Sequence, residues 1–218
     1  MTTQTKINTI VFDLDGTLLD TLADLSNSVN FALTTNGYPK RSVHEIRSFL
    51  GNGIANLMRR SVPANTLESD FEKAFLTFRK HYVEHCLDLT QPYDGIMPLL
   101  KELKSRGIKM AIVSNKLHPA VQELNNRFFS QYIYSAVGES KTVRRKPNPD
   151  AVNAALKELG SCKEEAIYVG DSEVDLATAN NAGMACVCVT WGFRDRVFLE
   201  NLHPQYLINQ PLELLDII

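Results

Sequence analysis

The chain has 218 residues, 44% of them hydrophobic and 22% charged. That balance belongs to a soluble globular protein and excludes a disordered, collagen-like or coiled-coil chain. Twenty-three basic residues against 25 acidic ones leave a net charge of −2, so no basic excess marks out a nucleic-acid partner.

No apolar run approaches the ~20 residues of a membrane helix. Residues 1–6 carry no apolar signal region, so secretion is not expected and the cytoplasm is the expected compartment. Cys86, Cys162, Cys186 and Cys188 show neither CxxC spacing nor a Cys/His cluster, and are read as reduced thiols. At ~150 residues per domain, the length suggests one core plus a smaller accessory unit.

The first apolar run, residues 7–12, ends in Asp13-Leu14-Asp15-Gly16 and reads as a buried strand followed by a tight turn. Residues 20–86 then show only helical patterning. Leu22, Leu25, Val29 and Leu33 form a stripe of 3.6-residue period, and Ser42 with Glu45 forms a capping box. A helix over 53–62 is stopped by Pro63. A longer one over 66–86 carries Phe71, Phe75, Phe78 and Tyr82, an aromatic stripe suited to a bundle core. This interval is too long for a plain crossover. It is expected to be a four-helix cap domain, residues 20–88, lying over the site.

Beyond it the pattern alternates. A helix over 94–106, stopped by Gly107, precedes a strand over 108–113 that leads into Ser114-Asn115. A helix over 149–159 precedes a strand over 166–169 that leads into Gly170-Asp171-Ser172. A helix over 173–182 precedes a strand over 185–189, and 206–208 reads as a last short strand. Alternation of this kind predicts an α/β fold: a Rossmann-like parallel sheet with helices on both faces, formed by residues 1–19 and 89–218. Sites in such sheets form beyond the carboxyl ends of the strands.

Four polar segments fall at those ends. Asp13 and Asp15, two apart on extended backbone, point the same way. Two close carboxylates need a cation or a proton to coexist, and Mg2+ suits hard oxygen ligands beside phosphate. Ser114 and Asn115 can donate to phosphate oxygens without adding charge. The basic run Arg144-Arg145-Lys146 could balance the carboxylates. Asp171 is placed to finish a metal site, with Asp175 one helical turn further on.

Taken together, Asp13-x-Asp15-Gly16-Thr17, Ser114-Asn115, Lys146-Pro147 and Gly170-Asp171-Ser172-x-x-Asp175 resemble the four motifs of the haloacid dehalogenase-like hydrolase superfamily. The resemblance covers essentially the whole chain, including a helical cap inserted after the first motif. Within that superfamily the chain looks most like the phosphoglycolate phosphatase-like group. Residues 15–21, the loop Leu50-Gly51-Asn52-Gly53 and Thr190-Trp191-Gly192-Phe193 carry this finer likeness.

The resemblance implies a Mg2+-dependent phosphatase of a small phosphorylated metabolite. It makes Asp13 the nucleophile that becomes an aspartyl-phosphate, and Asp15 the acid and then the base. It places Mg2+ on the Asp13 carboxylate, the Asp15 carbonyl and Asp171, with Asp175 supporting that shell. Ser114, Asn115 and Lys146 hold the phosphoryl oxygens, and Gly51, Asn52 and Gly53 of the cap loop face the substrate. Neither a nucleic acid nor a membrane is an expected partner, and both a monomer and a homodimer fit.

Asp15 argues against a dehalogenase, which attacks carbon and lacks an Asp there. No lysine of the cap suits a phosphonate hydrolase, since Lys40 and Lys73 are expected at the surface. The uncharged loop 50–54 weakens a β-phosphoglucomutase-like reading, with Arg59 and Arg60 two turns into the next helix. Inorganic pyrophosphatase is retained as an alternative. A non-catalytic phosphoester-binding protein is a distant one, because all four motifs look intact. Arg194 and Arg196 are expected on a surface loop rather than on substrate.

Overall fold

The computed structural model describes residues 6–51 and 53–218. The chain separates into two compact units, Met1–Leu18 with Pro92–Ile218, and Leu19–Gln91.

The first unit is a six-stranded parallel sheet. β1 (Thr9–Phe12) is central and all four of its residues are buried, as a strand covered on both faces requires. Between β1 and the next sheet strand the chain passes through the other unit and then α5 (Ile96–Ser105), which buries Ile96, Leu99, Leu100 and Leu103. β4 (Lys109–Leu117) follows, then α6 (His118–Phe128), β5 (Ser135–Glu139) and α7 (Asp150–Leu159). β6 (Ala166–Gly170), α8 (Glu173–Ala182), β7 (Ala185–Val189), α9 (Arg196–Asn201) and β8 (Tyr206–Ile208) complete it. The strand order is β5-β4-β1-β6-β7-β8.

β1 is paired in register with β4 on one side and β6 on the other. The chain therefore winds outward in one direction through β4 and β5 and in the other through β6 to β8. The reversal at β1 opens a crevice at the carboxyl ends of its neighbours. Val11, Val113, Val152, Tyr168 and Leu199 are among the buried residues of the core here.

The second unit is helical. α1 (Leu22–Thr35), α2 (Val43–Phe49), α3 (Gly53–Ser61) and α4 (Glu68–His85) bury Val29, Leu33, Ile46, Leu57, Met58, Phe71 and Phe78. The Ser42–Glu45 capping box is present: Ser42 N–H donates to Glu45 Oε2 and Glu45 N–H to Ser42 Oγ. Phe71 and Phe78 of the aromatic stripe are buried, while Phe75 and Tyr82 are half-buried. Buried Asp24 of α1 accepts the N–H groups of Leu89 and Thr90, anchoring the chain where it leaves α4. Two short strands, β2 (Leu19–Asp20) and β3 (Gln91–Pro92), pair where the chain enters and leaves this unit.

Several elements differ from the sequence reading. β5 was not expected, because Ser-Ala-Val-Gly-Glu has neither length nor alternation to distinguish it from a loop. Its partner β4 supplies the pairing. β4 does not end at Val113 but continues through Ser114 and Asn115 to Leu117, with a register shift between Ser114 and Leu117. Helices α6 and α9 were also unexpected.

Candidate active site

The first motif begins where β1 stops. Asp13 is almost fully buried, and its N–H donates to Val169 O of β6, which fixes its main chain to the centre of the sheet. Gly16 then turns the chain with φ +87°, a conformation that favours glycine. An added methyl at Gly16 would also strike the Asp171 carboxylate. The turn therefore brings the end of β1 against the end of β6.

Lys146 reaches this point from the loop before α7. Its Nζ lies 2.6 Å from Asp13 Oδ1, 2.7 Å from Asp175 Oδ1 and 3.2 Å from the Tyr168 hydroxyl. Burial alone would make its proton easier to lose, but the Asp13 and Asp175 carboxylates outweigh burial and push the Lys146 ammonium well above the usual lysine range. Asp13 is pushed well above the ordinary carboxylate range, first by burial and then by the Asp175 charge, with Lys146 opposing both.

Asp175 is fully engaged. Its Oδ1 accepts from Lys146 and Tyr168, and its Oδ2 accepts the N–H and hydroxyl of Ser172. It is the orienting partner of Lys146 and ties the start of α8 to it. Asp171 sits beside it, raised to about 7 by burial and by the Asp175 charge. The Phe193 N–H donates to Asp171 Oδ2 at 2.6 Å and the Thr17 hydroxyl to Oδ1 at 3.4 Å. The Trp191 indole N–H donates to Thr17 O at 3.0 Å, so the 191–193 segment holds both motifs.

Ser114 is buried and its Oγ accepts the Lys116 N–H, which leaves the hydroxyl proton available to donate. The Asn115 carboxamide is turned elsewhere. It accepts the Lys146 N–H at 2.7 Å and donates to Lys146 O at 3.3 Å, clamping the main chain of that residue. Asn115 thus places Lys146.

Three residues outside the expected set join the site. Lys116 Nζ lies 2.8 Å from Asp15 Oδ1. Its place directly after Ser114-Asn115 was the available signal. Tyr168, inside a buried strand, carries a hydroxyl that had to find a partner. The Phe193 N–H gives no side-chain signal at all.

Other expected residues lie elsewhere. Arg194 is not a bare surface residue: its guanidinium makes a two-pronged, half-buried pair with Glu173. Arg196 is bound to Glu200 and Asn209 in exposed positions. In the helical unit Arg59 pairs with Glu68 and Arg60 donates to Ser48 O. Gly51 and Gly53 flank Asn52 with positive φ, and Asn52 itself lies outside the described residues.

One carboxylate oxygen from each of Asp13, Asp171 and Asp175 lies within 4.8 Å of the others, all three residues buried. Repulsion and burial raise Asp13 and Asp171. Hard oxygen donors whose mutual repulsion a cation would relieve suit a divalent ion such as Mg2+. Asp175 is already occupied at both oxygens, so Asp13 and Asp171 are the better placed pair.

Comparison with known proteins agrees with this architecture. A family model described as haloacid dehalogenase-like hydrolase matches residues 10–189. A phosphoglycolate phosphatase of Vibrio parahaemolyticus is 32% identical over 99% of this chain and 98% of its own. The pyrophosphatase PpaX of Halalkalibacterium halodurans is 29% identical over 98% and 97%. A crystal structure from Lactobacillus delbrueckii subsp. bulgaricus, provisionally named a phosphoglycolate phosphatase, superposes with a TM-score of 0.91 at 32% identity, covering 96% of this chain and 97% of that one. With the motif order, the parallel sheet and a family match over most of its length, the chain belongs to the haloacid dehalogenase-like hydrolase family.

Proposed function

We propose that the protein is a Mg2+-dependent phosphatase that hydrolyses a small phosphorylated metabolite, with 2-phosphoglycolate as the leading substrate, through an aspartyl-phosphate on Asp13. The observation that carries this reading is the buried Asp13 carboxylate at the end of the central strand, held 2.6 Å from the Lys146 ammonium and beside Asp171. Phosphoryl transfer requires positioning and charge neutralisation more than elaborate covalent chemistry, and this cluster supplies both.

In the first half-reaction an Asp13 oxygen attacks phosphorus, and the bond from phosphorus to the leaving oxygen breaks. Asp15 delivers a proton to that oxygen. In the second half, the Asp15 carboxylate takes a proton from water as the water oxygen attacks phosphorus and the bond from phosphorus to the Asp13 oxygen breaks, which restores the Asp13 carboxylate and releases inorganic phosphate. Lys146 neutralises charge on Asp13 and on the phosphoryl oxygens, and Asp175 and the Asn115 clamp keep it aimed. The Ser114 hydroxyl donates to a phosphoryl oxygen. Asp13, Asp171 and the Asp15 carbonyl would hold Mg2+, which when bound supplies further neutralisation of the phosphoryl charge.

Substitution Asp13→Asn tests this directly. It keeps the size of the side chain and removes the nucleophile, and hydrolysis of p-nitrophenyl phosphate should fall by roughly 10⁴-fold or more, as losses of catalytic nucleophiles do. Turnover at the parent rate would overturn the assignment. Inorganic pyrophosphate is the second reading, favoured by the likeness to a pyrophosphatase. Comparing kcat/KM for pyrophosphate with that for 2-phosphoglycolate decides between the two.

A further inference from the structure

Lys116 stands at the end of β4, two residues beyond Ser114, and its Nζ lies 2.8 Å from Asp15 Oδ1. The two side chains keep only 14% and 20% of their exposure. The chemistry proposed above assigns this cation no task. The other cations of this region are paired with other carboxylates. Lys146 is held by Asp13 and Asp175, Arg194 by Glu173, Arg144 by Asp150 and Arg145 by Glu139. Lys116 touches Asp15, the carboxylate assigned to the leaving oxygen.

That placement constrains the substrate. In a phosphate monoester the oxygen that Asp15 protonates is bonded to the organic part of the molecule. Whatever the ester carries beyond that oxygen must therefore lie next to Asp15, where Lys116 stands. A lysine is a compact charge on a flexible stem, so its ammonium can turn from Asp15 towards a second anion without moving the backbone. In a partly shielded site that attraction is stronger than in bulk water. A carboxylate only a bond or two past the leaving oxygen comes within reach of an ammonium that already touches Asp15. A neutral alkyl group there gains nothing from it.

We infer that Lys116 is the specificity-determining residue of this site, selecting phosphate monoesters whose leaving group carries a carboxylate. The inference rests on the phosphatase reading of Asp13 and Asp15 and on its leading substrate, and it adds the residue that reads the carboxylate.

The test uses matched pairs, so that harm done to Asp15 by losing its partner cancels. The ratio of kcat/KM for 2-phosphoglycolate to that for ethyl phosphate is measured in Mg2+ for the parent and for Lys116→Met and Lys116→Arg. Lys116→Met should lower turnover of both esters, and the ratio should also fall by roughly ten-fold or more, as expected for one lost charge-assisted hydrogen bond. Lys116→Arg should restore most of the ratio. The inhibition constants of 3-phosphonopropionate and propylphosphonate, which carry CH2 in place of the ester oxygen, read the same preference without turnover. They decide the matter where a variant is too slow to assay, and Lys116→Gln replaces Lys116→Met if circular dichroism shows the latter unfolded. A parent ratio near one, or a ratio unchanged in the variants, overturns the inference. If the ratio is unchanged while Asp13→Asn is inactive, only the role of Lys116 falls; full turnover by Asp13→Asn would instead remove the phosphatase reading beneath it.

Discussion

At the scale of single residues, the site is set by side chains that orient one another. Asp175 illustrates this: four donors from three residues converge on its two oxygens, so it can be neither free ligand nor free base. Gly192 is the matching case on the other side of Asp171. A methyl group added there would overlap Asp171 Cβ and the Gly16 carbonyl oxygen. Gly192→Ala should therefore displace Asp171 and the turn after Asp15 together. A displacement of about 1 Å in such a site costs on the order of 10²-fold in rate. Assay of kcat on p-nitrophenyl phosphate, alongside circular dichroism to confirm folding, checks this; a rate within two- or three-fold of the parent, about what a spectator residue gives, would show that Asp171 tolerates the shift. Of these relations, the carboxylates and Ser114 were legible as residue types at strand ends, and Lys146 as part of a basic run, although it lies in the loop between β5 and α7 rather than at a strand end. The Asn115 clamp and the Asp15–Lys116 pair were not, because sequence order does not say which of several neighbouring polar groups will meet.

At the scale of elements, strong local periodicity was the legible part. α8 begins at Glu173 and ends at Ala182 before Gly183, as the pattern required, and the capping box of α2 is formed. β5 was illegible for a physical reason: a short edge strand is specified by its neighbour β4 rather than by its own residues. In α4 the aromatic stripe has a definite energetic consequence. Phe78 is fully buried, with ring centroids 6.4 Å from Phe75 and 5.4 Å from Tyr82. Phe78→Ala should destabilise the helical unit by about 3–5 kcal/mol through lost burial and the cavity left behind. Urea unfolding followed by far-ultraviolet circular dichroism measures it, and a loss below about 1 kcal/mol would mean that the site refills.

At the scale of the whole molecule, the chain has two compact units, so unfolding is expected in more than one step, with ligand linkage in the step that unfolds the sheet unit. Mg2+ held by Asp13 and Asp171 should stabilise the sheet unit, by about 2.7 kcal/mol at a hundred times its dissociation constant. Thermal unfolding with EDTA and with Mg2+ checks this, and Asp171→Asn should abolish the shift. An equal shift in the parent and the variant would exclude Asp171 as a ligand. EDTA should likewise abolish phosphatase activity, and added Mg2+ should restore it. Among the described residues no helix is long and apolar enough to cross a membrane.

The sequence by itself determined the family motifs, the parallel α/β class and the helical character of residues 20–86, because strand-end carboxylates, buried apolar runs and 3.6-residue stripes are local properties of the chain. Only the tertiary structure decided which polar groups meet. Asp13 lies 133 positions from Lys146, and Thr17 lies 154 from Asp171. Sheet order and register bring such groups within hydrogen-bond range, and burial then makes each contact strong enough to assign one oxygen to one partner.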